Sequence, residues 1–194
     1  MFVRPADPAA VLDAISANEF HRDEQLPYWV EHWPCADVLL EWVHRHPPRS
    51  GETVVEIGAG LGVLSALAGR TAARSVAIEI FFDGCRYCRV NMSRNLPGFL
   101  VIQGDWRTPA LRPCADLVLA SDVLYEQRWV EPVLGCCAAL LRSGGCALVA
   151  DPGRKWWGEF LGSAHKYGLT AQVAHRGVIN NGKTTVTIAR LSLT

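Results

Sequence analysis

The most constraining feature of this chain is an apolar strand that runs into three glycines and straight on into a helix. Thr53-Val54-Val55-Glu56-Ile57 has the β-branched, apolar character of a strand, Gly58-Ala59-Gly60-Leu61-Gly62 is a glycine-rich turn, and residues 61–72 carry a helical pattern. The alternation then repeats. Residues 75–80 read as a second strand, 83–95 as a helix, 99–103 as a third strand and Ala115–Ser121 as a fourth. Val130, Val133, Leu134, Cys137, Leu140 and Leu141 recur with helical period, and Ser143-Gly144-Gly145 is expected to stop that helix. Residues 146–150 form a fifth strand, and residues 155–167 a helix closed by Gly168.

The C-terminus breaks the alternation. Residues 169–176 and 183–193 are both strand-like and are joined across Asn180-Asn181-Gly182, a hairpin signal. Strand–helix repetition followed by a hairpin implies an α/β fold. Its sheet is doubly wound, with helices on both faces and mostly parallel strands, and ends in an antiparallel hairpin. Ligands of such sheets sit beyond the carboxyl ends of the strands at the topological switch, here the turn after the first strand.

Upstream, residues 8–18 suit a short helix. Residues 20–34, aromatic and punctuated by proline, suit a lid or binding segment. Pro34 is placed to open a helix with Val38, Leu39, Trp42 and Val43 on one face, and His46-Pro47-Pro48 ends it. The expected organisation is therefore an N-terminal helical or lid extension over residues 1–50 and one ligand-binding α/β domain over 51–194. A chain of 194 residues leaves little room for a second core.

Nineteen basic residues balance nineteen acidic ones, which argues against a broad nucleic-acid-binding face. No apolar run reaches the ~18 residues of a membrane span, and the N-terminus lacks a signal-peptide pattern. A soluble, cytoplasmic monomer is the expectation. The seven cysteines are odd in number, which does not suit a disulfide framework. Cys85 and Cys88 form a C-x-x-C pair that would suit a redox or zinc site, but no second pair accompanies it. With Met92 they mark one apolar helical face, so packing is the favoured reading and no metal is expected.

The glycine turn brings backbone close to a ligand, and Glu79 ends the second strand nineteen residues after Gly60. A carboxylate there accepts both ribose hydroxyls of an adenosine. A dinucleotide fingerprint beginning at Gly58 would end at Val63 and fits poorly, so an NAD-dependent oxidoreductase is the weaker alternative. The form Glu56-x-Gly58-x-Gly60-x-Gly62 instead resembles the first motif of class I S-adenosylmethionine-dependent methyltransferases. That family carries a Rossmann-like seven-stranded sheet ending in such a hairpin. The resemblance implies S-adenosyl-L-methionine as cofactor and S-adenosyl-L-homocysteine as product. Asp105 would meet the adenine amino group, and Trp106 would pack on the ring.

Ser121-Asp122-Val123-Leu124-Tyr125 after the fourth strand, Trp33-Pro34 upstream and Asp151-Pro152-Gly153-Arg154 after the fifth strand narrow the likeness. Together they resemble the seven-β-strand protein-lysine methyltransferases of family 16, most of all the branch that methylates the electron transfer flavoprotein β-subunit. Cys35-Ala36-Asp37 stands where that branch usually has glycines. The resemblance implies that Asp122 and Tyr125 handle the acceptor amine, that Trp33 and Ser121 border the cofactor, and that Asp151 and Arg154 stand at the substrate rim. The implied partner is a protein with a target lysine; a small-molecule N- or O-methyltransferase is the alternative. Asp122 as the N-cap of a following helix, Tyr125 as core and Arg154 as a solvated surface group are the purely structural alternatives.

Overall fold

A computed structural model of the chain describes residues 2–14, 26–72, 74–109 and 111–194. Seven strands form one sheet in the order β3-β2-β1-β4-β5-β7-β6. They are β1 (Thr53–Ile57), β2 (Arg74–Glu79), β3 (Leu100–Gln103), β4 (Ala115–Ser121), β5 (Leu141–Asp151), β6 (Leu169–Ile179) and β7 (Thr184–Leu193). Strands β1 to β5 pair in parallel, and β7 runs antiparallel to both β5 and β6. The chain winds outward from β1 to β3, then returns to place β4 on the other side of β1. The switch point therefore lies between the carboxyl ends of β1 and β4.

Alternation along the strands covers both faces. Val55, Ile57, Val118, Ala120, Ala147 and Val149 pack with helix α5 (Val130–Leu140) and with Phe160 of α6 (Trp157–Ser163). Their neighbours Val54, Leu117, Leu119, Leu148 and Ala150 pack on the opposite face with α2 (Cys35–Arg45) and α3 (Val63–Ala68). Helix α4 (Phe82–Ser93) lies against β2 and β3. Its Cys85, Cys88 and Met92 are buried together, as the apolar-face reading expected, and Cys88 Sγ lies 3.7 Å from Met92 Sδ. Among the described residues no helix is long and apolar enough to cross a membrane.

Several boundaries differ from the sequence expectation. Helix α3 is the short segment Val63–Ala68, because Gly62 sits at φ 71° before it and Gly69 closes it. Helix α5 ends at Leu140, ahead of the glycines. Leu141 already pairs with Ala115, and the ladder then shifts register before Leu117 meets Cys146. Gly144 and Gly145 lie in that bulge. A Cβ on Gly145 would stand 2.6 Å from the Ala115 carbonyl oxygen, so the glycines serve strand pairing and not helix termination. Residues 155–167 divide into α6 and a 3-10 turn, Ala164–Tyr167, capped by Gly168 at φ 67°. The hairpin is longer than expected on the β6 side. Its turn holds Asn180, Asn181 and Gly182 at positive φ.

Helix α1 is Pro8–Asp13, with the Asp7 carboxylate accepting from the Ala10 N–H. The remainder of the expected 8–18 helix, residues 15–18, and residues 20–25 of the expected lid lie outside the described residues.

Candidate active site

A cavity of about 230 Å³ opens at the switch point, between the turn after β1 and the loop after β4. Of the residues singled out from the sequence, Trp33, Glu56, Gly58, Gly60, Glu79, Asp105, Trp106, Ser121, Asp122, Tyr125 and Arg154 line it. Gly62 and Asp151 do not.

The glycine turn divides its labour. Gly58 has φ 65°, and a Cβ there would lie 2.8 Å from Trp106 Cζ3 and 3.2 Å from Val123 Cγ1. Its bareness brings the Trp106 ring against the cavity floor. Gly62 is bare because a Cβ would land on Cys88 Sγ, so the third glycine answers to the packing of α4. Glu56 is buried, and its carboxylate accepts from the Ser65 N–H at 2.7 Å and from the Ser65 hydroxyl. It thereby ties the first turn of α3 to β1. Burial pushes its pKa up to about 8, against the pull of those hydrogen bonds.

Glu79 is also buried. One carboxylate oxygen accepts from the Gly60 N–H at 2.9 Å and the other from the Phe81 N–H at 2.8 Å. Burial raises its pKa, while these backbone donors pull it down. Each oxygen keeps a lone pair for a further donor, such as a hydroxyl. Asp105 is clasped by the backbone and guanidinium of Arg107, at 2.8 Å to the N–H and 2.7 Å to Nε. The Trp106 ring meets Trp129 edge-on at 5.4 Å.

The other end of the cavity is aromatic. Tyr28 meets Trp33 at 5.7 Å and Tyr125 at 5.1 Å, both edge-on, and the Trp33 Nε1–H donates to the Tyr28 carbonyl at 2.9 Å. Burial drives the Tyr125 phenol well above its usual range, so it stays protonated and can donate. Trp29 packs its backbone against Gly60 and its ring near Tyr87, covering the Glu79 end. Sequence reasoning marked this stretch as aromatic but did not single out Tyr28 or Trp29. The dense aromatic spacing was the available signal.

Asp122 does not cap a following helix. It has φ 60°, and the next regular element is a 3-10 turn at Gln127–Trp129. Its carboxylate instead accepts from the N–H of Cys35, the first residue of α2, at 3.2 Å. Pro34 offers that helix no side-chain cap, so Asp122 caps it from across the fold. Its other oxygen meets Arg154 Nη1 at 2.7 Å.

Asp151 is fully buried and stands beneath the rim, not on it. It accepts from the N–H groups of Gly153 and Arg154 at 2.8 and 2.7 Å, and pairs with Arg154 Nη1 at 3.2 Å. Burial raises its pKa against the pull of Arg154. Burial also works against the charge of Arg154, but Asp122 and Asp151 beside it hold the guanidinium charged. Arg154 is therefore a half-buried ion-pair member lining the cavity, not a solvated surface group.

Among the described residues no cluster of three or more histidine, cysteine or acidic side chains could hold a metal ion.

Residues 55–149 match a family model described as a methyltransferase domain. The fold likeness spans nearly the whole chain. A TehB-like SAM-dependent methyltransferase from Corynebacterium glutamicum superimposes with a TM-score of 0.67 at 16% identity, over 97% of this chain and 100% of that one. The N-methyltransferase NodS from Bradyrhizobium japonicum, crystallised with S-adenosyl-L-homocysteine, gives 0.69 at 14% identity, over 85% and 90% of the two chains. A putative RNA methyltransferase from Pyrococcus horikoshii gives 0.67 at 21% identity, over 86% and 88%. No curated protein matches the chain. The matched segment and the sheet order define a class I methyltransferase fold, and they support S-adenosylmethionine-dependent methyl transfer as its chemistry.

Proposed function

We propose that the protein is an S-adenosylmethionine-dependent N-methyltransferase acting on a lysine side chain of a protein substrate. The observation that carries this reading is that Asp122 and Tyr125 face the same cavity as Gly58, Gly60 and Glu79, behind an aromatic mouth formed by Tyr28 and Trp33. The residues suit the cofactor. Glu79 has acceptor capacity left for the ribose, and Trp106, seated against the bare Gly58, offers a flat face for the adenine. Asp105, Ser121 and Trp33 complete that wall. The cofactor supplies an electrophilic methyl group on a sulfonium.

The protein's work is alignment and dehydration of the acceptor. A lysine ammonium must lose its proton, at a cost of roughly 4–5 kcal/mol at pH 7. Asp122 captures and orients the amine. The Tyr125 phenol walls the channel, and its O–H is a donor for the nitrogen lone pair until the amine turns to attack. We assign the aromatic stretch from Tyr28 to Trp33, with Trp29 over Gly60, to covering the cofactor end.

Incubation of the wild type with methyl-labelled cofactor and cell lysate is expected to label protein bands whose hydrolysate contains methyl-lysine, and Asp122→Ala to abolish the label. No labelled protein under any condition would count against the reading. The modest volume of the cavity, about 230 Å³, favours a second one, a small-molecule amine, in which the label would appear in the non-protein fraction.

A further inference from the structure

We infer that Arg154, anchored by Asp151, is a positioning residue that sets the charge Asp122 presents to the cavity. Through it the protein sets its preference for a cationic over a neutral cofactor. The inference rests on the reading that this cavity takes S-adenosylmethionine, and it concerns how the chain meets the charge on that ligand.

The geometry is a clasp. Asp151, at the end of β5 and fully buried, takes the backbone N–H groups of Gly153 and Arg154 on one oxygen and Arg154 Nη1 on the other. Gly153, at φ 83°, turns the chain so that one residue is held by both its backbone and its side chain. So held, Arg154 reaches Asp122 Oδ1 at 2.7 Å with the same Nη1 that meets Asp151. Asp122 is itself fixed, by a left-handed backbone and by the Cys35 N–H on its other oxygen. Neither carboxylate can swing away from the guanidinium. The Asp122 side chain is 5% exposed and that of Arg154 24%, so water screens the trio weakly.

The consequence is a charge balance. With both acids ionised, two carboxylates share one guanidinium and the trio carries one net negative charge. Without Arg154 it would carry two. S-adenosylmethionine bears a sulfonium cation, and S-adenosylhomocysteine a neutral thioether. The Asp122 carboxylate, with the unpaired Asp151 charge behind it, would hold the sulfonium tightly and would also hold an incoming amine as its ammonium, which cannot attack. Sharing Arg154 weakens both grips, leaving one charge of attraction and easing release of the amine proton.

Affinities of both ligands at one pH and ionic strength test this. In Arg154→Gln the ratio Kd(S-adenosylhomocysteine)/Kd(S-adenosylmethionine) is expected to rise roughly tenfold over wild type, since a unit charge is removed inside a poorly screened site. Arg154→Lys, which keeps the charge, is expected to hold the ratio within about twofold. Asp122→Asn is expected to lower it. A purely structural role for Arg154 would weaken both ligands together and leave the ratio where it was. A ratio unmoved in Arg154→Gln overturns the inference while leaving the methyltransferase reading in place. If that variant does not fold, a ratio unmoved in Asp122→Asn overturns it equally. A wild type that binds neither ligand overturns the methyltransferase reading itself.

Discussion

At the scale of single residues, Gly58 and Gly62 share a left-handed backbone but answer to different neighbours. Alanine at either position costs on the order of 1–3 kcal/mol of backbone strain. Gly62→Ala also collides with Cys88 in the core, so its expected signature is a lower Tm with little loss of ligand affinity in the folded fraction. Gly58→Ala pushes on Trp106 and is expected to lose affinity for S-adenosylhomocysteine in a calorimetric titration. Glu79→Ala removes a charged acceptor and is expected to weaken that affinity by roughly 1.5–3 kcal/mol. Glu56 gives a pH signature. Its pKa rises from 4.5 to about 8 on folding, so the native state holds the proton more tightly than the unfolded chain does. The stability this group contributes is present below about pH 4.5 and is lost as the pH climbs toward 8. Tm measured across that range is expected to fall less steeply in Glu56→Gln than in wild type, by up to about 1.4 kcal/mol of stability per pH unit. Glu79, shifted in the same direction, leaves part of the slope in place.

At the scale of elements, the strands were the most legible part of the sequence. β1 and β4 match their expected bounds, because a β-branched run between Gly51 and Gly58 and an apolar run just after Pro113 leave few alternatives. The misjudged segments are those whose glycines had two possible jobs. Gly144 and Gly145 read as a helix stop and turned out to serve a β5 bulge, a matter of pairing with β4 that local pattern does not carry. The site was legible to the same degree. Glycines, acids and aromatics at strand ends could be placed, but the capping of α2 by Asp122 and the pairing of Asp122 with Arg154 depend on residues brought together from different strand ends. Another such contact is Asn91 on α4. Its side chain accepts from the Val3 N–H at 2.6 Å and donates to the Val3 and Leu61 carbonyls, each at 2.8 Å. This ties the N-terminal segment to the turn beneath Trp29. Asn91→Ala is expected to cost about 1–3 kcal/mol and to speed amide exchange across residues 2–13, read by mass spectrometry.

At the scale of the molecule, the sheet order places β1 and β4 side by side, and that adjacency alone brings the glycine turn and Asp122 to one crevice. The strand order sets which loops share the crevice without choosing the acceptor. In the proposed reading the acceptor is chosen by the aromatic mouth and the carboxylate behind it, which belong to loops and not to the sheet. What the whole arrangement requires is that the crevice take the methyl donor. The most direct test is the Tm of the wild type with increasing S-adenosylhomocysteine. A rise that grows with concentration, as mass action demands of a ligand bound by the native state alone, and that shrinks in Glu79→Ala is the expected result. A melting curve unmoved by saturating S-adenosylhomocysteine, with a shift on adding NAD, would contradict it.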